Sequence, residues 1–259
     1  RLFKILNTYS SIKVLKYSSI KVLMFKRYRT ALSRHHRSRG FGIHSPFAFD
    51  FVRGVLRERL PYYCYPQLET LRRNIVERTT GRWHRNNIIS LKDAKVLFRV
   101  VNHFNPSHIM QVGCHHGMAS ATMLAVSATS TLTLHEPNAE AMPVTASVLA
   151  PFGERVTRCD SMATTISHYQ SLTTDSIPLV LVEDLASEAD RDLLKQYLTA
   201  ITQNQAVVVL RNIGRNKIIR QLWRDLKHST PMGQTYTNEK LAIINATPRL
   251  QREDFLLWI

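Results

Sequence analysis

From residue 91 onward, short apolar runs alternate with stretches of helical period, and this alternation constrains the fold most strongly. Five apolar runs predict buried strands: His108–Val112, Thr131–His135, Val156–Arg158, Leu179–Val182 and Ala206–Leu210. Helices are expected between and after them, near 119–126, 139–150, 162–167, 187–202 and 217–227. Such an order is typical of a parallel sheet with helices on both faces. We therefore predict an α/β fold with a Rossmann-like, doubly wound, mostly parallel sheet.

Segments on either side of this alternation predict the sheet edge and the flanking helices. Two late apolar segments, 241–246 and 255–259, predict an antiparallel C-terminal edge. Upstream, Ser45 before Pro46 predicts a helix that starts at Pro46 and runs to about Arg59, and residues 79–90 are expected to form a loop. Helices are also expected at 25–39, 67–78 and 91–103. The sequence thus predicts three regions: a basic N-terminal extension that is disordered or amphipathic (1–39), a helical cap (40–90) and an α/β domain (91–259).

Positive charge is concentrated at the start of the chain. The formal net charge is +16, and eleven of the 35 Lys and Arg lie in residues 1–49, which contain no Asp or Glu. Such an arm can bind nucleic acid or an anionic membrane surface, or it can be a solvated tail. The heptapeptide YSSIKVL begins at Tyr9 and again at Tyr17, and Met24 follows shortly after. We expect residues 1–23 to be a dispensable extension ahead of a native start at Met24.

The composition excludes several classes of protein. The three cysteines are scattered and show no C-x-x-C spacing, which argues against a disulfide framework or a cysteine zinc site. No apolar stretch approaches the roughly 20 residues that a membrane-spanning helix needs. Serine-hydrolase elbows, Walker A loops and H-E-x-x-H motifs do not occur. We expect a cytoplasmic protein, with peripheral membrane contact only through its basic arm.

A glycine pair follows the first predicted strand. Gly113 and Gly117 lie between that strand and the next predicted helix. In sheets of this kind, ligands bind beyond the carboxyl ends of the strands, where the strand order reverses. A glycine there permits a tight turn or a close approach of the backbone to a ligand, and the helix that follows offers N–H groups to an anion. The G-x-x-x-G spacing alone also occurs where only packing requires it.

Acidic residues follow the next two predicted strands. Glu136 lies about twenty residues beyond the glycines, where a carboxylate can accept hydrogen bonds from both ribose hydroxyls of a nucleoside. Asp160, followed by Ser161 and Met162, can accept a hydrogen bond from an adenine amino group, and the methionine can pack on the ring. The alternative for each acid is a helix N-cap. In this order, at the ends of strands, they predict a nucleoside pocket.

Residues 44–50 have the sequence HSPFAFD. With the glycine and acid pattern, this segment makes the chain resemble class I S-adenosylmethionine-dependent methyltransferases of the catechol O-methyltransferase-like branch. The resemblance is to a bacterial subgroup with an H-S-P-F-x-F-D segment. Residues 207–223 are similar to that family's fifth strand and following helix, and the closing LQREDFLLWI is similar to its terminal strand. The likeness covers about residues 26–259.

The resemblance implies S-adenosylmethionine as the cofactor. By carry-over, Gly113 and Gly117 would frame its methionine part, Glu136 would hold the ribose, and Asp160 with the adjacent Ser161 would contact the adenine. Gln111 stands where the family usually has an acidic residue. Its amide oxygen would still accept a hydrogen bond from the ligand's ammonium, but without charge, which lowers the expected affinity.

The acceptor side departs from the family pattern. After strand four the family has Asp-Gly, where this chain has Glu183 and Asp184. After strand five the family has paired aspartates, where this chain has Arg211 and Asn212. In metal-using relatives those carboxylates bind Mg²⁺, which needs oxygen ligands and neutralising charge. The positive charge of Arg211 therefore predicts that no metal binds here. Glu183 is expected to act as a catalytic base or, alternatively, to pair with Arg211 and close the site.

Three functions remain open from the sequence. The first is an enzyme that transfers a methyl group from S-adenosylmethionine to an oxygen or nitrogen nucleophile of a small-molecule acceptor, without metal. The second is a catalytically inactive binding module, which the altered residues Gln111, Arg211 and Asn212 favour. The third is an RNA-associated protein that uses its basic arm, and this hypothesis predicts binding that weakens steeply with salt. The acceptor and the oligomeric state are left open.

Overall fold

The structure, a computed structural model, describes residues 28–172 and 176–259, apart from the side chain of Trp83. Residues 1–27 lie outside the described residues. They include the expected extension 1–23, the expected start at Met24 and part of the basic arm. In the described part, eight strands form one sheet in the order β3-β2-β1-β4-β5-β7-β6-β8. Their bounds are β1 His108–Val112, β2 Thr131–His135, β3 Val156–Arg158, β4 Leu179–Val182, β5 Ala206–Leu210, β6 Gln234–Thr237, β7 Ala242–Ala246 and β8 Glu253–Leu256.

The first five strands run parallel, and the predicted α/β fold is confirmed. β1 pairs with β2 on one side and with β4 on the other, so the strand order reverses beside β1. Strands β4 and β5 are buried along their whole length, which is why each is a nearly continuous apolar run. The C-terminal edge begins with β7, which is antiparallel to β5. The edge contains one more strand than expected, because β6 pairs antiparallel with β7 and parallel with β8.

Helices cover both faces of the sheet. Leucine, valine and aromatic side chains form two buried apolar clusters, one on each face of the sheet. One face carries α5 Leu91–Phe104, α6 Met118–Leu124 and α7 Met142–Leu149, and the other carries α8 Met162–Ser171, α9 Glu188–Ile201 and α10 Lys217–Ser229. The carboxyl ends of the parallel strands thus open between two helical layers, where a ligand site of this fold is expected.

The chain ahead of α5 is helical and packs on the same cluster as α5 and α6. Residues 28–37 are helical (α1), followed by α2 Pro46–Phe51, α3 Tyr65–Arg78 and α4 Arg82–Asn87. Ser45 caps α2 by accepting a hydrogen bond from the Ala48 N–H, as its place before Pro46 predicts. The expected continuation of α2 to residue 59 is wrong, because the chain turns into a π-helical segment at Val52–Leu56.

The interpretation of residues 79–90 as a loop is also wrong, because α4 lies within them. This segment carries little apolar periodicity, which is why the sequence pattern did not indicate it. The division into an extension, a cap and an α/β domain stays a prediction. None of the helices in the described residues is both long enough and apolar enough to cross a membrane.

Candidate active site

The turn after β1 has an unusual backbone. Three successive residues, His115, His116 and Gly117, have positive φ angles of 38°, 76° and 79°, a region that side chains with a Cβ rarely adopt. Gly113 is also at positive φ, and a Cβ there would lie 2.5 Å from the backbone nitrogen of Asp184. Gly113 is therefore required by the close approach of the β1 and β4 turns, and Gly117 by its left-handed conformation.

Glu136 connects the ends of β1 and β2. Its Oε2 accepts hydrogen bonds from the backbone N–H groups of Cys114 at 2.5 Å and His115 at 3.2 Å, and its Oε1 accepts one from Asn138 at 2.8 Å. The side chain is half-buried. The three backbone donors fix the position of the carboxylate. Glu136 thus fixes the glycine turn and stands at the edge of the sheet where the sequence predicts a ribose contact.

Gln111 is directed into the core. Its side chain is fully buried, and its amide nitrogen donates to the Gly113 carbonyl and to Oε2 of Glu183 at 2.9 Å. Its amide oxygen accepts from the Ser120 hydroxyl at 2.7 Å. Both ends of the amide are therefore used inside the protein, an arrangement that does not favour the expected bond to a ligand's ammonium.

Glu183 and Arg211 form a buried ion pair. The Arg211 guanidinium donates to Oε1 of Glu183, whose side chain is 1% exposed. Burial lowers the pKa of Arg211 to about 10, which still leaves the guanidinium charged at neutral pH. Of the two interpretations of Glu183, this geometry matches pairing with Arg211. With Gln111 on its other oxygen, Glu183 has a partner inside the protein for each oxygen, and its burial keeps it away from a substrate.

Asp160 and Ser161 lie at the outer end of β3. Both are exposed. Ser161 is the N-cap of α8 and forms a capping box with Thr164, because each side chain accepts a hydrogen bond from the other residue's backbone N–H. The N-cap alternative therefore describes Ser161, whereas the Asp160 carboxylate is exposed beside Glu136's strand, at the edge where an adenine contact is predicted.

A cavity of about 720 Å³ opens at the carboxyl ends of β1, β4 and β5. We call it the His115 cavity. His115, Asp184 and Asn212, which follow these three strands, lie at one end of it. The other lining residues are Asn86, Asn87, Leu185, Arg215, Asn216, Lys217 and Ile218. Most of the lining residues thus carry amide or charged groups, but apolar atoms form the larger share of the cavity wall.

His115 is a buried imidazole beside a carboxylate. Its Nε2 lies 4.0 Å from Oδ2 of Asp184 and 3.4 Å from the amide nitrogen of Asn212. The other oxygen of Asp184 accepts a hydrogen bond from the Asn216 amide at 2.8 Å, which orients the carboxylate. Burial lowers the pKa of His115, and Asp184 opposes that shift. The imidazole is therefore mainly neutral at pH 7 and is able to accept a proton.

The sequence pattern did not indicate His115 as a site residue. Adjacent histidines point apart on a helix or strand, so the pair His115-His116 suggested no shared ligand. The left-handed turn, which no sequence motif predicts, places the His115 side chain next to Asp184. Among the residues that the structure describes, no cluster of three or more His, Cys, Asp or Glu side chains is arranged to hold a metal ion.

Solved structures share this architecture. The O-methyltransferase from Bacillus cereus, solved in complex with SAH (S-adenosylhomocysteine), aligns with a TM-score of 0.53 at 12% identity, over 74% of this chain and 96% of that one. A candidate caffeoyl-CoA O-methyltransferase from Staphylococcus aureus aligns with a TM-score of 0.51 at 16% identity, over 69% and 91% of the two chains. The chain has the fold of these O-methyltransferases. No protein-family profile and no curated protein matches its sequence.

Proposed function

We propose that this protein transfers a methyl group from S-adenosylmethionine to an oxygen or nitrogen atom of a small acceptor held in the His115 cavity. The observation that carries the proposal is the buried His115 imidazole beside the half-buried Asp184 carboxylate, both of which line a cavity at the carboxyl ends of the parallel strands. The shared fold with a methyltransferase solved with S-adenosylhomocysteine supports the cofactor. We expect an acceptor with both polar and apolar parts, because amide and cationic side chains line the cavity together with a larger apolar surface.

The residues along the sheet edge fit such a cofactor. S-adenosylmethionine carries ribose hydroxyls, an adenine amino group and a positive sulfonium, all of which favour carboxylate partners. A carboxylate follows each of β2, β3 and β4, namely Glu136, Asp160 and Asp184. We assign Glu136 to the ribose and Asp160 to the adenine, beside the turn from Gly113 to Gly117. We do not assign Gln111, whose amide is used inside the core.

When bound, the cofactor supplies a methyl group already activated by its sulfonium. The protein's part is to align the acceptor, exclude water and receive a proton. We assign the proton to Nε2 of His115, which loses its contact with the Asn212 amide nitrogen when it is protonated, while Asp184 at 4.0 Å stabilises the imidazolium that forms. Glu183 is not assigned as the base, because Arg211 and Gln111 occupy its oxygens.

A turnover assay with S-adenosylmethionine tests the proposal directly. The full chain is incubated with pooled small hydroxyl and amine acceptors, and released S-adenosylhomocysteine is measured. We expect acceptor-dependent release that His115→Gln lowers by roughly 10²–10⁴-fold, the range for loss of a general base. His116→Gln is the matched control, because His116 is buried in the same turn but does not line the cavity. Failure to bind the cofactor would overturn the proposal.

A second candidate is a non-catalytic module that binds S-adenosylmethionine without turnover. The buried Glu183–Arg211 pair favours it, because two residues that are carboxylates in the metal-using proteins this chain resembles are here committed to the core. This candidate predicts cofactor binding that no acceptor converts into S-adenosylhomocysteine. Binding of nucleic acid or an anionic membrane through the basic arm stays a separate proposal, since most of that arm lies outside the described residues.

A further inference from the structure

A cationic surface lies on the helical region, around two hollows of about 460 and 540 Å³. The hollows share Arg57, Glu58 and Arg59, so they form one continuous surface. We call it the basic face and define it by six side chains that line the hollows: Arg39, Arg53, Arg57, Arg59, Lys92 and Lys95. None of the residues that line the His115 cavity belongs to it.

The cations of the basic face have few acidic neighbours among the described residues, although Lys92 donates a hydrogen bond to an oxygen of Ile259. Glu58 is the one acidic residue among those lining the two hollows, and its Oε1 accepts hydrogen bonds from the backbone N–H groups of Arg59 and Leu60. None of the six cationic side chains takes part in the ion pairs of the described residues. Burial, followed by the charges of Arg59 and Arg39, lowers the pKa of Arg57. An anionic partner would relieve this repulsion.

Large apolar side chains project beside these cations. Phe41 lines one hollow and is 62% exposed, and Leu60 lines the other and is 67% exposed. Trp258 is 53% exposed, and its backbone is held at the basic face, since its carbonyl accepts from Arg57 at 3.1 Å and its N–H donates to the Ser38 hydroxyl at 2.7 Å. Exposed apolar groups within a cationic rim are typical of proteins that bind the membrane interface, and tryptophan favours that depth.

We propose that the basic face docks the protein on an anionic phospholipid bilayer, with Phe41, Leu60 and Trp258 entering the headgroup region. Anionic headgroups complement the six cations, and the three apolar side chains gain burial that water denies them. A nucleic acid would satisfy the charges equally well, but the aliphatic Leu60 offers no ring on which a base can stack. The docking depends neither on methyl transfer nor on residues 1–27.

Vesicle co-sedimentation of the full chain tests the proposal. Vesicles of phosphatidylcholine alone are compared with vesicles that contain phosphatidylglycerol in equal part. We expect binding to the anionic vesicles, weakened at least about tenfold by Arg57→Glu with Arg59→Glu. The matched control, Arg224→Glu with Arg249→Glu, makes the same change in net charge at exposed positions outside the basic face, and we expect it to change binding less than about twofold.

Two outcomes would overturn the proposal. Equal weakening by both charge-reversed pairs would mean that net charge or residues 1–27, not this face, carry the binding. Binding to single-stranded RNA that the Arg57 and Arg59 changes weaken, without binding to anionic vesicles, would assign the face to nucleic acid. Circular dichroism establishes that each variant is folded. Should the reversed pair unfold, Phe41→Ser with Leu60→Ser replaces it and is expected to weaken vesicle binding without changing the charge.

Insertion itself is measured by quenching of tryptophan fluorescence with brominated acyl chains. The proposal expects quenching by anionic brominated vesicles that is lost, or nearly lost, in Trp258→Phe. Undiminished quenching in that variant would place another tryptophan at the bilayer and contradict the assigned orientation.

Discussion

Arg211 and Glu183 form an ion pair that is buried at the carboxyl ends of β5 and β4. In the metal-using methyltransferases that the sequence resembles, carboxylates at these two places bind Mg²⁺. Here the Arg211 guanidinium supplies the positive charge from within the chain, and the Gln111 amide completes the hydrogen bonding of Glu183. The proposed function therefore assigns the proton acceptor to the neighbouring turn, where His115 and Asp184 line the cavity.

Removing one partner of this pair is expected to destabilise the fold strongly. Arg211→Met leaves the Glu183 carboxylate buried without its counter-charge, which costs about 3–5 kcal/mol. Arg211→Met combined with Glu183→Leu removes both charges and is expected to recover most of that loss. Denaturant unfolding measures both variants against Arg224→Met, an exposed control. A single variant as stable as the wild type would contradict the buried pair.

The rate of methyl transfer is expected to depend on His115 through pH. Burial lowers the pKa of His115, so the imidazole stays unprotonated until the pH falls below the usual histidine value of about 6.5. We expect kcat/KM to hold near neutrality and to fall on the acid side as His115 becomes protonated. His115→Gln should remove this acid limb and His116→Gln should retain it. A wild-type profile that is flat through this range would exclude His115 as the base.

Stability is also expected to fall in weak acid. Burial lowers the pKa of His115 and of His116, so both bind protons more readily in the unfolded chain than in the folded one. Protonation therefore favours unfolding, and the free energy of unfolding should decrease as the pH falls from about 6.5 through the folded-state values. The double variant His115→Gln, His116→Gln should show a smaller decrease in urea titrations at successive pH values. An identical decrease would assign the effect to other groups.

Gly113 is expected to tolerate no side chain. In Gly113→Ala, the new residue would have to adopt a positive φ and its Cβ would clash with the Asp184 backbone. Together these effects are expected to lower the free energy of unfolding by about 2–5 kcal/mol. Gly153→Ala is the matched control, since Gly153 also has a positive φ but a Cβ there meets nothing within 4 Å, and it should cost about 1–2 kcal/mol. Thermal or denaturant unfolding measures the difference. Equal costs would mean that the close approach to Asp184 is unimportant.

The core of the fold was predictable because burial leaves a direct mark on the sequence. Strands such as Leu179–Val182 and Ala206–Leu210 are covered on both faces and therefore consist of apolar residues without interruption. The missed strand β6 has the sequence QTYT, and its pattern is not apolar because hydrogen bonds satisfy its buried polar side chains, among them Gln234 and Thr235. β6 lies between β7 and β8, and the side-chain partner of Gln234, the Ser45 hydroxyl, is distant in sequence.

The site was predictable only as a location. Gly113 and Glu136 lie at the sheet edge as strand order requires, and the three backbone donors of Glu136 could not be read from spacing. The pairing of Glu183 with Arg211 joins two strands and was one of two open alternatives. His115 reaches Asp184 through a left-handed turn that depends on the folded surroundings rather than on local propensity. Tertiary contacts therefore decide which polar groups are available for chemistry.

Isothermal titration calorimetry with S-adenosylhomocysteine tests the central claim most directly. The wild type is expected to bind it with a Kd below 1 mM, a concentration at which binding is worth about 4 kcal/mol. Glu136→Gln should weaken binding about tenfold or more, because it replaces a charged acceptor with an amide. Glu154→Gln, an exposed carboxylate away from the site, should bind as the wild type does. Absence of binding at millimolar ligand by the folded wild-type chain would contradict the account.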